Sequence, residues 1–305
     1  MHAPRGADVP GTLRLDRQAL QAWPLPAPDG HGDKEVRGAV LVVAGSAEIP
    51  GAAILAANAA LRAGAGKLVI ATVASVAVHV AVAVPESRVI GLVQRDDGGL
   101  TPDSASALLE AVDDADAVLV GPGFDEDPQT LALVRDLVAW CAAAPDRPAL
   151  VLDAAAMAAV HDAPCGARLL VTPHAGEMAK LTGAAKFEVL GAAGAMAADA
   201  AQRWQAVVAL KGASTFIASP DGRVWCHVNP NPGLAMSGSG DTLAGAIAGL
   251  AARGATLEQA AAWGVVLHSD AGERLARRGS GLGFLARELP AQIADLLPHV
   301  GDGDE

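Results

Sequence analysis

From Ala39 onward the chain keeps returning to one pattern: a short apolar run, a glycine, proline or aspartate turn, then a helix-length segment. Ala39 to Ala44 ends at Gly45, and further runs of this kind lie at Leu68–Thr72, Val89–Val93, Ala117–Val120, Leu150–Leu152 and Leu169–Val171. Runs this short and this rich in Val, Leu and Ala read as strands buried on both faces. Between them, Gly51–Ala63, stopped by Gly64-Ala65-Gly66, and Ser104–Val112 and Pro128–Ala142 read as helical segments. Strands that alternate with helices of this length predict a mostly parallel sheet covered on both faces. After Val207 the spacing changes. Val207–Leu210, Thr215–Ala218 and Val224–His227 stand close together across glycine turns, which predicts a short antiparallel edge. Helices over Gly238–Arg253, Leu257–Arg277 and Ala286–Leu297 then close the chain.

The boundaries follow from the same pattern. Residues 1–36, rich in Pro, Gly and charge, are expected to form an extended lead-in, 37–298 a single α/β domain, and 299–305 an acidic tail. Half of the 305 residues are hydrophobic, enough for a large core without disulfides. The three cysteines, Cys141, Cys165 and Cys226, are far apart and form no C-x-x-C pair, as expected for buried thiols in a reducing compartment. A net charge of −12 and an aromatic content of 3% argue against a nucleic-acid partner. The most apolar stretch, Val73 to Val84, is too short to span a bilayer, which needs roughly 20 residues. No apolar signal segment follows Arg5, so the expected location is the cytoplasm, with no membrane partner.

In doubly covered parallel sheets, ligands bind at the carboxyl ends of the strands, and the residues just after the apolar runs are the informative ones. Ser237-Gly238-Ser239-Gly240-Asp241 opens a helix, so its free amides and positive dipole end make an anion site. Asp241, held in its charged form there, is the candidate base that takes a proton from an attacking hydroxyl; its bland alternative is a helix cap. Lys211, one of only five lysines, opens Lys211-Gly212-Ala213-Ser214-Thr215 at a strand end, where a phosphate contact and an ordinary hairpin with a solvated lysine compete. His174 lies in Thr172-Pro173-His174-Ala175-Gly176-Glu177-Met178, at another strand end and beside a helix start favoured by Glu177. Gly45 to Gly51 and Gly121-Pro122-Gly123 are glycine turns that would let a ligand approach the backbone. Asp153 could bind a ribose, hold a Mg²⁺ water, or cap the following helix.

In this order, the segments resemble the ADP- or ATP-dependent NAD(P)H-hydrate dehydratase family, a branch of the ribokinase-like fold. The resemblance rests on Gly45-Ser46 through Pro50-Gly51-Ala52, Gly121-Pro122-Gly123, Leu152-Asp153-Ala154 and Thr172 to Met178. It continues through Lys211-Gly212-Ala213 with Thr215, Asn231-Pro232-Gly233-Leu234-Ala235 running into Gly238 to Asp241, and Leu267 to Gly272. The resemblance implies a ribokinase-like three-layer fold and a lyase that phosphorylates the C6 hydroxyl of hydrated NADH or NADPH and then eliminates the phosphate, with ADP giving AMP and phosphate. It further implies Asp241 as the catalytic residue, with Ala52, Gly123, His174 and Asp241 at the hydrate. Lys211, Gly212, Ala213, Ser214, Thr215 and Gly240 would meet the adenine nucleotide. Mg²⁺, a homotetramer and a unit without the epimerase domain of many relatives are implied in the same way. Ala47-Glu48-Ile49, Phe124-Asp125 and Ala155 depart from the usual family pattern. Two other readings compete: a small-molecule hydroxyl kinase of the same fold, and a nucleotide-binding regulator without turnover.

Overall fold

A computed structural model describes residues 9–26, 37–163, 168–229, 231–279 and 281–298. The expected tail at 299–305, residues 1–8 and 27–36 of the lead-in, and Cys165 lie outside the described residues. The strands are β1 (Leu13–Arg14), β2 (Ala39–Val43), β3 (Lys67–Val73), β4 (Arg88–Leu92), β5 (Ala117–Val120), β6 (Ala149–Leu152), β7 (Leu169–Val171), β8 (Val207–Leu210), β9 (Ser214–Ala218) and β10 (Val224–Val228). The helices are α1 (Arg17–Gln21), α2 (Pro50–Arg62), α3 (Ala74–Ala83), α4 (Ala105–Asp113), α5 (Pro128–Ala142), α6 (Ala175–Thr182), α7 (Lys186–Gly191), α8 (Ala193–Trp204), α9 (Ser239–Ala252), α10 (Leu257–Ala276) and α11 (Leu289–Leu296).

The strands form one ten-stranded sheet in the order β1-β10-β9-β8-β7-β6-β5-β2-β3-β4. It is parallel from β4 through β8, and β9 and β10 supply the antiparallel edge. One core cluster joins the sheet to α2, α9 and α10, while the other lies beneath α4, α5 and α8. The expected three-layer architecture is therefore present, with helices on both faces. β5 and β6 are buried at every position, as their unbroken apolar runs require.

Three segments go beyond the sequence pattern. Within the lead-in, β1 pairs in parallel with β10 and Trp23 stacks on Trp225 at 5.5 Å. The apolar stretch after Val73 is α3, which lies beside β4 and buries Val80 while leaving Val82 79% exposed. Only Ser75 and His79 interrupt its Val and Ala run, too little for periodicity to give a helical signal. Among the described residues, no helix is long and apolar enough to cross a membrane. The segment after α6 divides into α7 and α8, where small residues hide the boundary.

What positions the site is the packing of α9 on α2. Both helices are dominated by Ala and Gly, and α9 is buried from Thr242 to Ala252. A Cβ added to Gly245 would lie 2.1 Å from the Ala56 carbonyl oxygen, and one on Gly249 would lie 2.3 Å from that of Ala60. Backbone therefore meets backbone, and no side chain fits between. Replacing Gly245 with Ala must push the helices apart and should cost about 1–3 kcal/mol, the usual range for overpacking. Denaturant unfolding would measure this; an unchanged midpoint would show that the contact does not constrain the helices.

Candidate active site

Chain order reverses between β2 and β5, which are neighbours in the sheet, so their carboxyl ends border the crevice of a topological switch point. The two glycine turns meet there. The Gly45 amide donates to the Pro122 carbonyl at 2.8 Å. Gly123 has φ +75°, and a Cβ on it would strike the Ala52 Cβ and the Ile49 carbonyl oxygen, each at 2.8 Å. Ala52 and Gly123 are thus in contact.

Next along the sheet, the ends of β6, β7 and β8 supply a polar cluster. Asp153 follows β6, Thr172 follows β7 and Lys211 follows β8. The Thr172 hydroxyl donates to Asp153 Oδ1 at 2.5 Å, and Lys211 Nζ donates to the same oxygen at 2.9 Å. Asp153 and Thr172 are buried, and the Lys211 side chain is only 17% exposed. Burial alone would lower the Lys211 pKa, but Asp153, with Glu177 and Asp241, outweighs it and raises it. The lysine therefore stays charged. It is neither the solvated hairpin lysine nor a side chain extended toward solvent. Asp153 makes no side-chain cap to the following helical turn, so the capping alternative does not hold.

Asp241 lies half-buried in the first turn of α9. The amides of Gly240 and Asp241 precede the first intrahelical bonds, and neither finds a backbone acceptor outside the helix among the described residues. Lys211 Nζ lies 3.3 Å from where a Cβ on Gly240 would stand, which brings an ammonium to the helix start. The helix end alone would favour the charged carboxylate. Instead, burial followed by the charge of Asp153 raises the Asp241 pKa to about 6, with Lys211 lowering it and Glu177 adding a smaller upward push. Desolvation outweighs the dipole because the helix-end effect is small beside the cost of burying a charge. From the far side, His268 Nε2 lies 3.1 Å from both the hydroxyl and the carbonyl oxygen of Ser239. Burial lowers its pKa to about 4, so it is a neutral brace for the α9 start.

His174 has two jobs. Its Nδ1 accepts from the amides of Gly176 and Glu177, each at 3.0 Å, while the Glu177 carboxylate accepts from the His174 amide at 2.7 Å. This reciprocal cap starts α6. An accepting Nδ1 carries no proton, so the neutral ring has its N–H on Nε2, a donor left for a ligand. The side chain is 59% exposed. Next to it runs a cleft of about 890 Å³, lined by Phe124, Glu126, Ala155, His174, Glu177 and Lys180. A smaller cavity of about 220 Å³ continues from Gly45 and Ser46 past Phe124 to Arg95 and Asp127. Neither lining includes Asp241 or Lys211, which stand at the Gly240 side of the site.

The loop Lys211 to Thr215 turns β8 into β9. Gly212 and Ala213 are exposed, and Thr215 folds back over Gly212 through contacts of 3.4 Å. Its place beside β7 is fixed by the Lys211 amide, which donates to the Pro173 carbonyl at 2.7 Å and brings Lys211 level with His174. Sequence reasoning missed Arg95, whose guanidinium binds Asp127 at 2.8 Å and the Leu100 carbonyl at 3.0 Å. It ties the loop after β4 to the cap of α5. Asp127 caps that helix through the Thr130 amide, and nothing in the spacing pointed to its arginine. Among the described residues no group of three or more His, Cys, Asp or Glu could hold a metal ion.

The sequence family described as NAD(P)H-hydrate dehydratase matches residues 40–294. The chain is 48% identical to an ADP-dependent (S)-NAD(P)H-hydrate dehydratase of Xanthomonas campestris pv. campestris, covering 96% of this chain and 99% of the relative. It is 39% identical to a bifunctional NAD(P)H-hydrate repair enzyme of Moorella thermoacetica, covering 95% of this chain and 54% of that longer protein. A crystal structure of the ADP/ATP-dependent NAD(P)H-hydrate dehydratase of Bacillus subtilis, co-crystallised with ATP and Mg²⁺, superposes with a TM-score of 0.77 at 32% identity. That superposition covers 89% of this chain and 92% of the other. The chain belongs to the NAD(P)H-hydrate dehydratase family.

Proposed function

We propose that the chain is an ADP-dependent lyase that returns (6S)-NAD(P)H hydrate to NAD(P)H, releasing AMP and phosphate. The observation that carries this reading is the setting of Asp241: a half-buried carboxylate at an open helix start, beside a charged lysine. With a pKa of about 6, such a group is about nine-tenths ionised at pH 7 and close to the optimum for a general base. It takes the proton of the C6 hydroxyl as that oxygen attacks the terminal phosphorus of ADP. The bond to the leaving AMP breaks, and the amides of Gly240 and Asp241 with Lys211 meet the charge on the moving phosphoryl group. Loss of phosphate from C6, with a proton from the neighbouring ring carbon, restores the double bond.

In this reading Ala52 and Gly123 hold the nicotinamide end of the hydrate, and His174 donates to it through Nε2. Gly212 to Thr215 and Gly240 bind the nucleotide. Mg²⁺ would enter with the nucleotide: it takes most of its ligands from phosphates and water, and the Asp153–Lys211 cluster is too sparse to hold it alone. Its role when bound is to neutralise phosphate charge. The exposed Val78 and Val82 of α3 would be covered in a homotetramer; a single-chain mass in light scattering would remove that part. Placement in the cytoplasm rests on the cysteine pattern of the sequence.

Purified protein given hydrated NADH or NADPH with ADP should regain absorbance at the reduced-nicotinamide band. Failure with both ADP and ATP would favour the hydroxyl kinase of the same fold. The kcat/KM profile should lose activity as pH falls through about 6, where Asp241 takes up a proton. Asp241→Asn should lower kcat by at least roughly 100-fold, the low end for a lost general base, while nucleotide affinity stays within a few-fold. Loss of both would mark the residue as structural.

His174 should separate its two jobs. His174→Ala removes the α6 cap and should cost about 0.5–2 kcal/mol in unfolding free energy, with a raised KM for the hydrate. His174→Asn keeps a capping side chain and should recover the stability but not the KM. Equal stability of the wild type and His174→Ala would contradict the capping assignment.

A further inference from the structure

We propose that Asp153 is a positioning residue, whose carboxylate clamps the Lys211 ammonium beside Gly240 and so orders the charge around the base Asp241. The inference rests on the reading of Asp241 as the general base and assigns Asp153 a role other than ribose binding or helix capping.

Asp153 is fixed from several directions. Its amide donates to the Val120 carbonyl at 3.0 Å. Its own carbonyl oxygen stands 2.0 Å from where a Cβ on Gly121 would be, so the glycine turn closes tightly over it. Oδ1 receives both the Thr172 hydroxyl and Lys211 Nζ. The residue is 3% exposed, too deep to serve as a hand for a ligand. β6, β7 and β8 are adjacent in the sheet, so the three residues that follow them, Asp153, Thr172 and Lys211, form one chain of contacts across the strand ends. That chain leads from the glycine turn at Gly121 to the start of α9 at Gly240.

The charges facing Asp241 come from every element packed there. Asp153 stands at the end of β6, Lys211 at the end of β8 and Glu177 in α6; His268 of α10 lies behind Ser239 and is neutral. Two carboxylates, Asp153 and Asp241, thus share one ammonium, with Glu177 further out. Burial first, and then the charge of Asp153, keep the proton affinity of Asp241 above that of an ordinary aspartate, which is what a base needs. Taking away the Asp153 charge removes a repulsion and leaves Lys211 to Asp241 and Glu177. Both changes make Asp241 a stronger acid and a weaker base. Thr172 acts one step further back, by holding Asp153 in place.

The test is a carboxyl NMR titration of the whole protein labelled at its aspartates, with Asp241→Asn identifying the Asp241 signal. In wild type that signal should titrate near pH 6; in Asp153→Asn it should move to lower pH. The kcat on the pH plateau should fall by roughly 10- to 100-fold, by analogy with the loss of a partner that orients a metal-binding side chain. An unmoved Asp241 midpoint in Asp153→Asn overturns the proposal. Should that variant fail to fold, Thr172→Val replaces it: it should lower kcat, and Thr172→Ser should restore it, whereas Thr172→Val turning over like wild type overturns the proposal. The titration needs no substrate. Absence of hydrate turnover in wild type would count against the enzymatic reading, while a lowered midpoint in Asp153→Asn would still establish the electrostatic coupling.

Discussion

The contact of α9 with α2, glycine backbone against alanine backbone, is the constraint on which the rest of the molecule depends. With Gly245 and Gly249 pressed onto the carbonyls of Ala56 and Ala60, α9 has one depth at which it can lie on the sheet. That depth sets where its first turn opens. Gly240 and Asp241 therefore come to the ends of β6 to β8 because of packing further along the same helix. A chain with larger residues on these two helices could build the same layers, but not this close pair.

On that frame the site is a line of strand ends read from the switch point outward. The glycine turns after β2 and β5 meet beside Ala52. Asp153 and Lys211 then supply buried charge, with the Thr172 hydroxyl holding Asp153, and α9 faces them with amides and Asp241. The arrangement makes chemical sense because each part limits the next. Lys211 stays charged although buried, since Asp153 holds it. Asp241 stays basic although at a helix start, since burial and Asp153 offset the dipole. His174 keeps its outer nitrogen for a ligand because its inner one is committed to the α6 cap.

Much of this was legible in the sequence. Apolar runs closed by glycine or aspartate marked the central strands, since strands buried on both faces leave no room for polar residues. The residues just after those runs converge on the candidate site, because parallel strands all point their carboxyl ends one way. Less visible were features that depend on partners distant in the chain. The pairing of Lys211 with Asp153 spans 58 positions, and no local pattern joins them; each residue alone suggested a ligand contact. The raised pKa of Asp241 depends on burial beneath neighbouring strand ends, so local reasoning from the helix dipole gave the opposite direction. Arg95 had no signal of its own. The α3 helix was hidden because a Val and Ala run broken only by Ser75 and His79 has little periodicity to read, and β1 because two residues cannot display a strand pattern.

The central claim is that the hydrate loses its oxygen as phosphate, after Asp241 has primed that oxygen to attack the nucleotide. Following a heavy-oxygen label placed in the C6 hydroxyl of hydrated NADH tests it most directly. Mass spectrometry of the products after turnover with ADP should find the label in inorganic phosphate. Label recovered in water, with unlabelled phosphate, would mean that the hydroxyl leaves without being phosphorylated, and Asp241 and the α9 amides could not then act as base and phosphoryl cradle.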